Sequence, residues 1–253
     1  MTDNLKAVIL AAGKGKRLNS EEAQIPKHMR EIAEKPILQY VLDSINFIKK
    51  ENIIIVVGYL KEMIMKAFPE YTFAIQDENN SLGYGTGAAI RYTENIIRDY
   101  SDDILVLMGD SPLIKQETLI SLCREHKENN NDCTNLSCEN KKTLALGRII
   151  RDKNNNFLEI IENKDCTEEQ KTIKEYNTGN AVFNSKKLFE QLKNLNNNNK
   201  SGEYYLTDIP KLFYKNNYKV GVYKSQNSNE IYGANSIEEL ELIKKLLIIS
   251  STK

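Results

Sequence analysis

Several things are scarce in this sequence. Its 253 residues hold two histidines, four cysteines and five prolines. Neither sign of charge is in excess, because 35 Lys and Arg balance 35 Asp and Glu. A neutral chain is a poor general binder of nucleic acid, whose affinity rests on neutralising phosphates. Any anionic ligand must be met by a few placed cations and backbone amides. Long apolar runs are missing as well. Runs such as those at 7–12, 53–57 and 246–249 fall far short of the roughly 18 residues a membrane span needs. The first is also too short for a secretory leader and is followed at once by charge. Cys123, Cys133, Cys138 and Cys166 form no Cys-x-x-Cys pair, and His126 is the one imidazole near them. That spacing disfavours zinc and points to reduced thiols in a reducing compartment. The expectation is a cytoplasmic protein with neither a membrane nor a nucleic-acid polymer among its partners. What is plentiful is asparagine, 29 residues, and lysine, 28 against seven arginines. Both biases resemble those of an AT-rich genome and need carry no function.

The length allows one large domain or two small ones at roughly 100–200 residues each. A continuous apolar run at 7–11, ended by Gly13 and Gly15, predicts a buried strand feeding a glycine loop. Pro36 suits the start of a helix, and Ile37, Leu38, Val41, Leu42, Ile45 and Ile48 recur down one face of it. Residues 53–57 are β-branched throughout and end at Gly58, a second buried strand. The pattern continues with a helix at 60–68, a strand at 71–75, a helix at 88–98, a strand at 104–108 and a helix at 117–128. Such alternation predicts a parallel sheet with helices on both faces. After residue 130 the rhythm changes. Strands are expected at 134–137, 147–151, 157–162, 180–183 and 219–223, the second and third joined by a turn at 152–156. Helices are expected at 185–192, with Ser185 as N-cap, at 207–216 and, amphipathic, at 237–249. No linker divides the chain, so a single domain is expected.

In open α/β sheets ligands bind beyond the carboxyl ends of the strands, so the residues just after each strand matter most. The first strand is followed by Leu10-Ala11-Ala12-Gly13-Lys14-Gly15-Lys16-Arg17, then Pro26-Lys27. Small residues let the backbone approach a phosphate chain, and free N–H groups there bind anions. The loop lacks the Gly-Lys-Ser/Thr of a P-loop, and Leu18 stands where a dinucleotide fingerprint has its third glycine. A solvated surface turn is the competing reading. Asp110, after the strand at 104–108, is placed either to hold Mg²⁺ or to cap the turn before Pro112. The segment Gly83-Tyr84-Gly85-Thr86-Gly87 either closes on a base or phosphate or simply starts a helix.

Together these segments resemble the sugar nucleotidyltransferase (pyrophosphorylase) superfamily. Its marks are Leu10-Ala11-Ala12-Gly-x-Gly-x-Arg17, Pro26-Lys27, Gly85-Thr86-Gly87 and Gly109-Asp110-x-Pro112-Leu113. Further marks lie in the second half: Gly147-Arg148-Ile149, Ile161-Glu162-x-Lys164-Asp165, Glu175-x-Asn177-Thr178-Gly179 and Gly202-Glu203-Tyr204-Tyr205-Leu206-Thr207-Asp208. These resemble the uridylyltransferase domain of the bacterial bifunctional enzymes that make UDP-N-acetylglucosamine. The resemblance runs in order from about residue 6 to 240. It implies a three-layer α/β/α Rossmann-like nucleotide-diphospho-sugar transferase fold with a mixed, mostly parallel central sheet. It also implies a nucleotide-binding half at 1–130 and a sugar-binding half at 131–253.

The resemblance likewise implies roles. Arg17 and Lys27 would contact the triphosphate, and Leu10, Ala11, Ala12 and Gly13 would face the nucleotide. Gln76, Gly85 and Thr86 would hold the base and neighbouring groups. Asp110 and Asn235 would bind Mg²⁺. Gly147, Glu162, Asn177, Tyr205 and Thr207 would contact an amino sugar. The implied reaction is UMP transfer from UTP to a sugar-1-phosphate, N-acetylglucosamine-1-phosphate first, releasing pyrophosphate. No hexapeptide repeat is visible, so no acetyltransfer is expected. The chain departs from the pattern in three places: extra residues at 79–83 beside the base pocket, Met108 for an aromatic, and Ala145-Leu146 for Gly-Tyr. Transfer from another nucleotide, transfer to another sugar or alcohol phosphate, and a non-catalytic binder of nucleotide sugars are the alternatives. The sequence gives no oligomeric state.

Overall fold

Four strands with apolar residues on both faces organise the first half: β1 (Lys6–Ala11), β4 (Ile53–Val57), β5 (Thr72–Ile75) and β6 (Asp103–Met108). The computed structural model describes residues 5–18, 20–77, 79, 81–97 and 103–251. Between β1 and β4 lie a two-residue hairpin of β2 (Glu31–Ile32) and β3 (Lys35–Pro36), and two helices, α1 (Ser20–Ala23) and α2 (Ile37–Ser44). The second half contributes β7 (Cys133–Glu139), β8 (Arg148–Arg151), β9 (Phe157–Ile161), β10 (Glu175–Asn184) and β11 (Val220–Ser225). One sheet runs through both halves in the order β11-β7-β10-β6-β1-β4-β5, with β8 and β9 joined at β10. β5, β4, β1 and β6 are parallel. β10 runs against its neighbours β6 and β7, β8 runs against β10 and β9 against β8, and β11 is again parallel to β7.

Alternation on the strands sends side chains to two cores. Ala7, Ile9, Ile53, Ile55, Leu105 and Leu107 pack on one face against α2, α3 (Lys61–Ala67) and α5 (Gln116–Glu128). Val8, Leu10, Ile54, Val56, Ile104 and Val106 pack on the other, against α4 (Thr86–Arg91), α6 (Ser185–Leu192) and α7 (Ile209–Lys215). The molecule is therefore three layers, α/β/α, with a mixed and mostly parallel sheet, as expected. α8 (Ile237–Ser251) buries Ile243 against Ile32, Ile37 and Ala234.

The differences from expectation have local causes. α2 stops at Ser44, whose hydroxyl bonds back to Val41 O, and turns carry the chain to Ile48. α4 spans 86–91 rather than 88–98; Thr93 bonds back to Ile90 O, and Arg98 lies outside the described residues. β10 is ten residues long because the strand continues through Asn177-Thr178-Gly179 as a bulge, with the register to β7 slipping between Asn177 and Ala181. Asn184, not Ser185, caps α6: its side chain accepts from Lys187 N at 3.1 Å, while the buried Ser185 hydroxyl has no partner. No described helix is long and apolar enough to cross a membrane. All four cysteines are unpaired, and burial pushes the Cys123 and Cys138 thiols up to about 12.

Candidate active site

The order β5-β4-β1-β6 reverses direction in sequence at β1, so a crevice opens between the ends of β1 and β6. A cleft of about 630 Å³ lies there and extends toward the ends of β4 and β5. Leu10, Ala12, Gly13, Lys27, Gln76, Gly85, Thr86 and Asp110 line it. Ala11 is the last residue of β1 and is 1% exposed in the core, so only its backbone borders the loop. Arg17 is exposed beyond the cleft wall, between Lys16 and the buried Leu18.

The glycine loop is held from two sides. Leu18 N bonds Gly15 O at 2.9 Å, and Arg30 reaches Leu18 O at 2.6 Å. Gly15 has φ +63°, and a Cβ there would stand 2.8 Å from Lys27 Cβ. Only glycine tolerates both the backbone and the contact. The Lys27 stem thus props the loop from below while its ammonium enters the cleft.

That ammonium meets Asp110 at 2.5 Å and the Asn235 amide oxygen at 3.4 Å. Three segments far apart in sequence converge here. β6 delivers Asp110, whose carbonyl accepts from Ala234 N at 2.8 Å, and this pins the Asn235 loop. Asn235 N in turn donates to Glu239 at 3.1 Å. Burial pushes the Asp110 carboxyl upward, but the charge and hydrogen bond of Lys27 outweigh it and hold the carboxyl below its usual range. His28, beneath them, is kept neutral: burial, then the Lys27 charge, lowers it to about 3. A Cβ at Gly233 would crowd Asn235 Nδ2 at 2.9 Å and approach Asp110 Oδ1 at 3.5 Å. Gly233 therefore keeps the space between carboxylate and amide open. No three His, Cys, Asp or Glu side chains cluster as a metal cage among the described residues. One carboxylate and one amide oxygen beside a phosphate-sized cleft fit Mg²⁺, which keeps waters and takes substrate phosphates.

On the far side of β6 the five expected sugar residues gather. Thr207 Oγ1 donates to Glu162 Oε1 at 2.8 Å, and Asn177 N donates to Gly147 O at 2.9 Å. A Cβ on Gly147 would lie 3.6 Å from the Glu162 carboxylate. Tyr205, half-exposed, is near enough to Glu162 to feel its charge. Burial, reinforced by Asp208, Asp165 and Glu203, raises the Glu162 carboxyl against the hydrogen bond from Thr207. The β10 bulge ties this wall to β6. Gly179, at φ +83°, leaves no room for a Cβ against Met108, and Asn180 Oδ1 accepts from Met108 N at 2.9 Å.

The conspicuous Gly202–Asp208 motif also holds the loop at 84–87. Tyr204 N donates to Tyr84 O, and Gly87 N to Tyr204 O, both at 2.8 Å. Leu206 N donates to Thr86 Oγ1 at 3.0 Å. The motif clasps residues 84–87, and Glu203 reaches the cleft. Other lining residues were given no role from the sequence: Lys14, Tyr59, Lys61, Asp77 and Glu203. Tyr59 and Asp77 follow β4 and β5 closely, so reading every strand end with equal weight would have found them. Glu203 had no such signal.

Residues 7–209 match the family described as the MobA-like NTP transferase domain. The chain is 36% identical over 242 residues to the bifunctional protein GlmU of Streptococcus mutans, covering 95% of this chain and 51% of that one. It is 38% identical over 230 residues to the GlmU of Streptococcus uberis, covering 90% and 49%. The chain thus spans about half the length of these relatives. A UDP-glucose pyrophosphorylase in complex with UDP-glucose superposes with TM-score 0.78 at 18% identity, covering 99% of this chain and all of that one. A glucose-1-phosphate thymidylyltransferase of Bacillus anthracis, described as putative, gives 0.76 at 17%, covering 96% and 94%. At such identities these two show the fold alone.

Proposed function

Because the chain belongs to the MobA-like NTP transferase family, we propose that it transfers UMP from UTP to N-acetylglucosamine-1-phosphate, releasing pyrophosphate. The observation that carries the reading is the convergence of Lys27, Asp110 and Asn235 at the β1/β6 crevice. The identity to the two GlmU proteins supports the choice of substrates.

The acceptor phosphate has a second pKa of ~6 and is mostly dianionic at pH 7. It needs no general base, and neutral, buried His28 offers none. The barrier lies in bringing two anions together, since like charges ~4 Å apart repel by ~4 kcal/mol at an effective dielectric of ~20. Lys27 supplies positive charge in the cleft, Gly13 and Lys14 of the glycine loop line it, and Arg17 would add charge from beyond the cleft wall. Asp110 and Asn235 would hold Mg²⁺, which would supply further charge stabilisation for the phosphates. Glu162 and Asn177 offer the acceptor and donor that an acetamido group requires. Pyrophosphate release measured over a grid of UTP, CTP, GTP and dTTP against several sugar phosphates tests this. Fastest turnover with UTP and N-acetylglucosamine-1-phosphate is expected; a maximum elsewhere on the grid overturns the substrate assignment, and no turnover anywhere overturns the reaction.

A further inference from the structure

Tyr84 stands on the base side of the cleft, one residue before Gly85-Thr86. Its side chain is among the exposed large apolar ones at 48%, yet it faces a concavity, sharing the cleft wall with Gln76, Asp77 and Thr86. A lone exposed aromatic on a convex surface needs no explanation; one presented into a cleft by a fixed backbone does. The fixing is thorough. Gly83 and Gly85 flank Tyr84 at φ +93° and +116°. A Cβ on either would come within 2.6 Å of Tyr204, at its ring and its carbonyl oxygen respectively. Tyr84 O accepts from Tyr204 N at 2.8 Å. Tyr204 is itself held by the Arg91 guanidinium, 4.5 Å above its ring. Arg91 is anchored to Leu82 O at 3.0 Å and Leu192 O at 2.7 Å.

The position of the ring along the cleft narrows its use. Lys27 and Asp110 stand at the β1/β6 end, whereas Gln76 follows β5 and bonds Val57 O through its N–H at 2.8 Å. Three inter-strand spacings, about 14 Å, separate β6 from β5. That is room for a base at one end and its phosphates at the other.

We propose that Tyr84 is an aromatic wall of the nucleotide subsite, its ring stacking on the base. This rests on the reading of the cleft as a nucleotide site but not on the identity of the base, since every base has a π-face. Burial and the neighbouring Glu203 charge hold the phenol above its ordinary value, so the ring stays uncharged beside the triphosphate.

The chain contains no tryptophan, so Tyr84→Trp places a single reporter at the wall. Its fluorescence should be quenched saturably by UTP and little by inorganic tripolyphosphate, which has no base. Tyr84→Leu should raise the UTP Kd about tenfold or more, the range of base–aromatic stacking, while Tyr84→Phe stays within about twofold. Tripolyphosphate affinity should be unchanged in Tyr84→Leu, which separates loss of the ring from collapse of the loop. Wild-type UTP affinity in Tyr84→Leu, or an equal loss for tripolyphosphate, overturns the proposal. If the wild type prefers another nucleotide and Tyr84→Leu weakens that one, the stacking stands and the uridylyl reading falls.

Discussion

The two sides of the candidate site are built from different materials. Around the cleft Lys14, Lys27 and Lys61 stand on strand-end loops, with Glu62, Asp77 and Asp110 among them. The β9/β10 side presents Glu162, with Asp165, Glu203 and Asp208 close enough to raise its carboxyl. A net charge of zero thus conceals an uneven distribution: lysines and carboxylates interleave around the cleft, whereas carboxylates predominate around Glu162. The first wall relies on backbone and a few cations. The second relies on side-chain acceptors that are costly to bury unless a ligand pairs with them.

If that division holds, substitutions on the two walls should separate. The largest effect is expected for Asp110→Asn, which removes a full charge at nearly constant shape and unpairs Lys27. Turnover should fall by about 10³-fold or more with a shifted Mg²⁺ midpoint, since the largest electrostatic contributions to catalysis sit where charge develops. Unchanged kcat and midpoint would reduce Asp110 to a turn cap. Lys27→Ala should follow at ~10²–10³ in kcat, the cost of one preorganised donor. It should leave the KM for the sugar phosphate within a few fold. Arg17 is exposed and outside the cleft wall, so Arg17→Ala should cost less than Lys27→Ala, and a reversed order would relocate the triphosphate toward the loop exit.

Glu162→Gln probes the acidic wall with two readouts. kcat/KM for N-acetylglucosamine-1-phosphate should fall about tenfold, the loss of one good acceptor, with UTP affinity unaltered. Stability should move the other way. The folded-state carboxyl is raised, mainly by burial, so its ionised form weakens the fold above that pKa and the penalty disappears as pH drops below the unfolded value. The variant should therefore melt higher than the wild type at pH 7 and equal it near pH 3.5. A variant that melts lower at pH 7 would show that Glu162 holds the wall together rather than waiting for a ligand.

The same contrast explains what could be read in advance. The first wall was legible because β1, β4 and β6 are uninterrupted apolar runs whose ends are marked by glycine. A parallel sheet then brings those ends together without further information. The second wall sits on strands with buried polar residues, Thr134, Asn135, Ser137 and Arg148 among them, which hide the period-two pattern. Its grouping of Gly147, Glu162 and Asn177 was named only because whole motifs resembled a family. The clasp of Tyr204 on residues 84–87 is a backbone contact between segments about 120 residues apart, and no local composition encodes it.

The smallest expected effect concerns the start of α6, where sequence chose the wrong cap. Both Asn and Ser are good N-caps, so Asn184-Ser185 is ambiguous by one residue. The structure resolves it: Asn184 N bonds Asp132 O at 2.8 Å, which fixes the strand end and aims the Asn184 side chain at Lys187 N. Ser185 is left inside the first turn, fully buried, with an unpaired hydroxyl. Asn184→Ala should cost ~1 kcal/mol, a typical lost cap, and lower Tm by about 2–4 °C. Ser185→Ala removes a buried polar group that has nothing to bond, and should be neutral or slightly stabilising. Both variants lie away from the cleft and should keep wild-type turnover. If Ser185→Ala were the costlier of the two, the hydroxyl would be capping the helix after all, and α6 would begin one residue later than its backbone indicates.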